Sequence, residues 1–114
     1  MSQRLLAPHF NVHTTPFEPL PEFGGSKAIL FKSQDGTRVA GSFRESGSHR
    51  FEMPFDEFIY VVGGSVKITI EGGETFQLSV GDACYLLQGQ TVLFEMSDDF
   101  HDVTVLMSDK KIDV

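Results

Sequence analysis

From residue 27 onward, apolar and polar side chains alternate in short runs, each closed by a Gly-rich or Asp-Gly break. Residues 65–71 set Val66, Ile68 and Ile70 against Ser65, Lys67, Thr69 and Glu71. Residues 75–80 do the same with Phe76, Leu78 and Val80. A period of two puts each set on its own face of a strand. The same pattern predicts strands at 28–31, 37–45, 57–62, 83–87, 91–96 and 103–107. No segment holds the helical period long enough to make a helix. Many short strands with regular turn signals predict an all-β sandwich or barrel.

Parity constrains one hairpin. With Gly72-Gly73 alone as its loop, Ile70 faces Thr75 and the two apolar stripes miss each other. A loop of odd length pairs Ile70 with Phe76, Ile68 with Leu78 and Val66 with Val80. A slip of one residue inverts every side chain, so the odd loop is expected, with Gly72 or Gly73 in its left-handed position. Residues 58–62 (Phe-Ile-Tyr-Val-Val) are apolar on both faces. That predicts a strand covered on both sides, by the interior on one and by a second sheet or subunit on the other.

Residues 1–26 show no period and hold Pro8, Pro16, Pro19 and Pro21. Proline fixes φ and removes a ladder donor, so this stretch is expected as an extended arm. Leu5, Leu6, Phe10, Val12, Phe17, Leu20 and Phe23 make it too apolar for a free tail, so it should pack on its own domain or on a partner. Residues 27–114 form the β domain.

Composition narrows the partners. The 114 residues fit one domain, and 9 basic against 16 acidic side chains give a net charge of −7. Without clustered Lys and Arg, neither nucleic acid nor an anionic membrane surface is an expected partner. Residues 58–62 are the longest apolar run, far short of the roughly 20 residues a spanning helix needs. The first ten residues lack the apolar core of a secretory signal. With Cys84 as the single cysteine, a disulfide framework and a Cys-rich zinc module are excluded, and a reducing cytoplasm is expected. Eleven Phe, two Tyr and no Trp place most rings in a core or an interface. Together with the two-faced strand and the arm, this predicts a homodimer.

Two segments resemble a known family. Glu57-Phe-Ile-Tyr-Val-Val-Gly-Gly64 is similar to the first conserved motif of the cupins, a Glu followed by an apolar strand and a turning Gly. Gly81-Asp-Ala-Cys-Tyr-Leu-Leu-Gln-Gly89 is similar to the second. The chain most resembles the small cupins that include ureidoglycine aminohydrolase and the ethanolamine-utilisation cupins. The resemblance implies a single jelly-roll β-barrel of the RmlC-like kind, with sheet-against-sheet pairing of subunits.

The metal ligands of that family are largely missing. Counting back from Glu57 over the family's spacing, Arg50 and Glu52 occupy the two histidine positions of the first motif. Val92 occupies the histidine position of the second, and Leu87 replaces the turn proline. A guanidinium has no lone pair to give a metal, so no metal and no cofactor are predicted. The alternative is a divalent ion (Mn, Fe, Zn or Ni) on an irregular site of His49, Glu52 and Glu57.

Glu57, at the start of an apolar strand, is the candidate general acid or base. Its bland reading is an ion pair with Arg50. Arg50, Glu52 and Glu57 together would make a salt-bridged triad in place of the metal, or Arg50 would clamp a ligand carboxylate. Val92 and Tyr60 complete the expected ligand-binding set. If Arg50 faces in, His49 faces out. His101 lies among polar residues and is expected on the surface, and Cys84 as a small buried hydrophobe. Two functional classes stay open. The first choice is a domain that binds a small polar metabolite in its pocket. The other is a metal-dependent lyase, isomerase or hydrolase.

Overall fold

The computed structural model describes residues 5–114, apart from the side chain of Phe23; the first four residues of the expected arm lie outside the described residues. Ten strands form: β1 (Glu18–Leu20), β2 (Gly25–Lys32), β3 (Arg38–Arg44), β4 (Gly47–Glu52), β5 (Asp56–Gly63), β6 (Ser65–Ile70), β7 (Thr75–Ser79), β8 (Ala83–Leu86), β9 (Thr91–Met96) and β10 (His101–Met107). One 3-10 turn, Pro21–Phe23, joins β1 to β2. Among the described residues no helix is long and apolar enough to cross a membrane.

The strands make two antiparallel sheets, ordered β1-β2-β3-β10-β5-β8 and β4-β9-β6-β7. Among the described residues no ladder joins one sheet to the other, so the two sheets are not closed into the expected barrel but form an open sandwich. Its core lies between the sheets. Ile59 and Val61 from β5 meet Val66 and Ile68 from β6 and Val92 and Phe94 from β9, all buried. Val39, Leu106 and Ile112 make a smaller cluster.

The β6–β7 hairpin has the odd loop that parity demands, one residue earlier than expected. Ile68 pairs with Phe76, Val66 with Leu78 and Thr69 with Thr75. The Ile70 amide donates to the Glu74 carbonyl at 2.9 Å, which leaves residues 71–73 as the tip, with Gly72 at φ 77°. Sliding the pairing by one residue on each side keeps the parity, so both stripes still face the core. The cost falls on Val80, which moves past the ladder and is 63% exposed.

β5 is apolar on both faces, as its sequence suggests. Ile59 and Val61 point into the core, while Phe58 and Tyr60 stand on the outer face at 38% and 42% exposed. Tyr85, opposite Phe58 on β8, extends that outer surface and donates its hydroxyl to Asp56 Oδ2 at 2.6 Å. Residues before β1 cover the other end of the same face. The Phe17 ring lies under the Arg44 guanidinium at 4.1 Å and edge-on to His101. His101, expected on the surface, therefore opens β10 buried at 7% exposed, with Nε2 2.8 Å from Ser42 Oγ.

Candidate functional site

A cavity of about 130 Å³ opens between the sheets. Strand parity decides what enters it. Along β5, Glu57 shares a face with Ile59 and Val61, so its carboxyl is carried inward. Along β10, Asp102 shares a face with Thr104 and Leu106 and sits opposite Phe43 of β3. Two residues beyond Phe43 on that face is Glu45, whose amide donates to the Phe100 carbonyl at 3.3 Å. Glu45, Glu57 and Asp102 all line the cavity.

These three acids are expensive to ionise there. Asp102 is 2% exposed. Burial, then the charges of Glu57 and Glu45, raise it well above the ordinary carboxylate range, against backbone hydrogen bonds from Phe43 and its own amide. Its Oδ1 has no hydrogen-bond partner among the described residues. Burial and then Glu45 push Glu57 up to about 8. Burial pushes Glu45 up to about 7, eased by His49. Removing a carboxylate from water penalises its charged form, and like charges at close range add to the penalty. Ionising one member therefore raises the cost of ionising the next. Cys84 packs beside it; burial, Glu57 and Asp102 push its thiol to about 12, which leaves it without nucleophilic thiolate.

The sequence-derived triad does not assemble. In β4, Arg50 and Glu52 are exposed, while His49 and Phe51 line the cavity. Arg50 pairs on the outside with Glu71 at 2.7 Å. The physical reason is packing: Phe51 lies 5.4 Å from Phe94, its diagonal neighbour on the adjacent strand β9, and this aromatic pair keeps both rings on the inner face of the sheet. His49 thus turns inward, its Nε2–H donating to the Ser46 carbonyl at 3.0 Å. Of the other expected ligand-binding residues, Val92 is fully buried in the core cluster and Tyr60 stands on the outer face.

The metal alternative fails the same test of placement. Glu52 points away from Glu57 and His49, and the inward position beside His49 is a phenylalanine. Among the described residues, no three His, Cys, Asp or Glu side chains are grouped to hold a metal ion.

Glu45 and Asp102 are the site residues that sequence reasoning missed. Asp102 belongs to a polar stretch that suggests a solvated loop, and Glu45 ends a strand before a Ser-Gly-Ser break. Their signal was parity: Glu45 continues the face of Val39 and Phe43, and Asp102 that of Leu106.

Several solved structures share this architecture. The ethanolamine utilization protein Q of Salmonella typhimurium superposes with a TM-score of 0.67 at 21% identity, over 80% of this chain and 77% of that one. KdgF from Halomonas sp. gives 0.70 at 18% identity, over 90% and 94%. The Clostridium difficile EutQ protein gives 0.63 at 21%, over 77% and 65%. At these identities the likeness speaks to the fold. No functionally curated protein matches in sequence. The model of the EutQ-like cupin domain matches residues 32–101; it does not single out the ureidoglycine aminohydrolases that the motifs also resemble. With most of its β domain inside that match, the chain belongs to the EutQ-like cupins.

Proposed function

We propose that this domain takes a small molecule into the cavity between its sheets, with Glu57 as the proton-carrying group. One observation carries the reading: apolar walls converge on a few buried acids whose protons are held near neutrality. Concave, largely apolar sites with few convergent polar groups are the usual form of a ligand pocket. Perturbed titration in such a pocket marks groups suited to proton transfer. Glu57, held to about 8, keeps its proton at neutral pH and can donate it. Glu45, near 7, is the matching acceptor.

The test is a screen of benzene-sized fragments, positive, neutral and negative, followed by amide NMR shifts. Fragments should move the resonances of Ile59, Phe94 and Phe100, and Phe94→Trp, which fills the cavity, should abolish the shifts. A screen in which no fragment perturbs those residues removes the reading.

We also infer that the outer face of the six-stranded sheet meets a second copy of the chain. Phe58, Tyr60 and Tyr85 stand in neighbouring strands at 38–48% exposed, and Leu87 follows at 53%. A contiguous apolar patch of this kind is uncommon on a monomer. Sedimentation at micromolar concentration should give a species of twice the 12.7 kDa chain mass, and Tyr60→Lys should convert it to a monomer. A wild-type species at the single-chain mass overturns the pairing.

A further inference from the structure

The charges around the cavity are of one kind. Glu45, Glu57 and Asp102 line its interior, and the exposed Glu22 and Asp113 line its mouth. Among the described residues, His49 is the one basic side chain that lines the cavity, with neither Lys nor Arg beside it. The nearby Arg50, which an anionic ligand would need, is engaged outside by Glu71. The remaining wall is mostly aromatic: Phe43, Phe51, Phe55, Phe94 and Phe100. The face of a benzene ring carries partial negative charge and attracts cations, most strongly where water is excluded.

A second observation asks for a donor. Asp102 is 98% buried (2% exposed), lines the cavity, and keeps Oδ1 without a hydrogen-bond partner among the described residues. A buried acceptor left unmatched costs on the order of 1–3 kcal/mol, and native structures seldom tolerate it without a reason. A carboxylate accepts and cannot match another carboxylate unless one holds a proton. A ligand N–H borne on a cation would satisfy Oδ1 and offset one negative charge in one contact.

We propose that the cavity takes an organic ammonium ion bearing at least one N–H on a short apolar or aromatic body. The inference rests on the cavity being the binding site and adds the chemical class of its occupant. Size agrees: the cavity holds about 130 Å³, close to the ~150 Å³ of a site that takes up benzene. The ammonium would lie among Glu45, Glu57 and Asp102, with its body against the phenyl rings. Binding then expels protons from the acids, so affinity rises with pH. The groups facing Glu57 fix that sign: Glu45 after β3, Asp102 on β10 and Cys84 on β8 are acids, His49 on β4 is a weak base, and the mouth adds Glu22 and Asp113.

The test compares n-butylammonium, 1-butanol, n-butyrate and tetramethylammonium by calorimetry and amide NMR on the intact chain. Butylammonium should bind at least tenfold more tightly than butanol, with butyrate weaker still. Tetramethylammonium, equal in charge but without an N–H, should bind at least fivefold more weakly than butylammonium. Butylammonium affinity should rise at least fivefold between pH 6 and pH 8.5 with proton release, and Asp102→Asn should lower it at least tenfold. Butanol or butyrate binding as well as butylammonium, with shifts at Phe94 and Phe100, overturns the ammonium class and leaves the pocket standing. Absence of cavity shifts with all four probes overturns both. If Asp102→Asn fails to fold, the wild-type series alone decides.

Discussion

Glu57→Gln should leave the protein within about 1 kcal/mol of wild type at pH 5 and make it more stable at pH 8.5, by roughly 2–4 kcal/mol. The direction follows from the folded-state titration. Glu57 rises from 4.5 to about 8, Glu45 from 4.5 to about 7, and Asp102 well above 3.8. Between the unfolded and folded values the native state holds more protons than the unfolded chain. The stability these groups leave intact is therefore fully present below about pH 4.5 and is lost as the pH rises through 7 and 8. Gln keeps the shape and stays neutral, and it removes the like charge felt by Glu45 and Asp102. Water at the cavity mouth screens part of the effect, so the expected figure is set below the full shift of about 1.4 kcal/mol per pKa unit. Other groups slope the opposite way. His101 is held below 6.5 by burial, Arg44 and His13, and contributes stability lost as the pH falls through that range. Asp35, held near 2 by hydrogen bonds from Thr37 and Ser33, acts only in acid. Both cancel in the difference between wild type and variant. Urea unfolding of the two proteins at pH 5, 7 and 8.5 measures that difference; a wild type as stable as the variant at pH 8.5 contradicts the buried acid cluster. Ligand binding should fall in the same variant, so the acid is retained at the expense of stability.

Gly64→Ala should cost roughly 2–4 kcal/mol, the larger of two matched glycine effects. Gly64 turns β5 into β6 at φ 64°, a region where any side chain is strained. A Cβ there would also lie 2.5 Å from Ser97 Oγ and 2.8 Å from the Asp99 carbonyl carbon. Ser97 Oγ accepts the Ser65 amide at 2.9 Å and donates to Asp99 Oδ1 at 2.8 Å, so the clash would break the joint between β6 and the approach to β10. Gly72 provides the control. It has φ 77° with no atom within 4 Å of its added Cβ, so Gly72→Ala should show the conformational term alone, about 1 kcal/mol. Equal losses in the two variants would mean that close approach at Gly64 has no energetic weight. Because β10 carries Asp102, Gly64→Ala should also weaken ligand binding where Gly72→Ala does not.

Much of the fold is written in short-range pattern. Alternation in 65–71 and 75–80 requires a hairpin with an odd loop, since only that brings both stripes to one side. The tip position is not so constrained, and it moved by one residue without disturbing the stripes. The double apolarity of 58–62 gives a strand apolar on both faces, and the Glu-apolar-Gly and Gly-Asp motifs mark the family. Sheet closure is a different matter. Whether edges pair into a barrel depends on where ten strands end relative to one another, and no local window contains that.

The sequence by itself determined the all-β class, the family and the acidic character, because strand parity and turn chemistry act over a few residues. Tertiary structure decided the sign of the site. The contact between Phe51 and Phe94 turned β4 so that Arg50 faces solvent and His49 faces the cavity. The antiparallel pairing of β10 with β3 and β5 brought Asp102 and Glu45 to Glu57 from distant parts of the chain. A site expected to hold a cation among its own side chains became a ring of acids around an apolar space. The physical reason is that one residue of register reverses every side chain on a strand, and only tertiary packing chooses between the two.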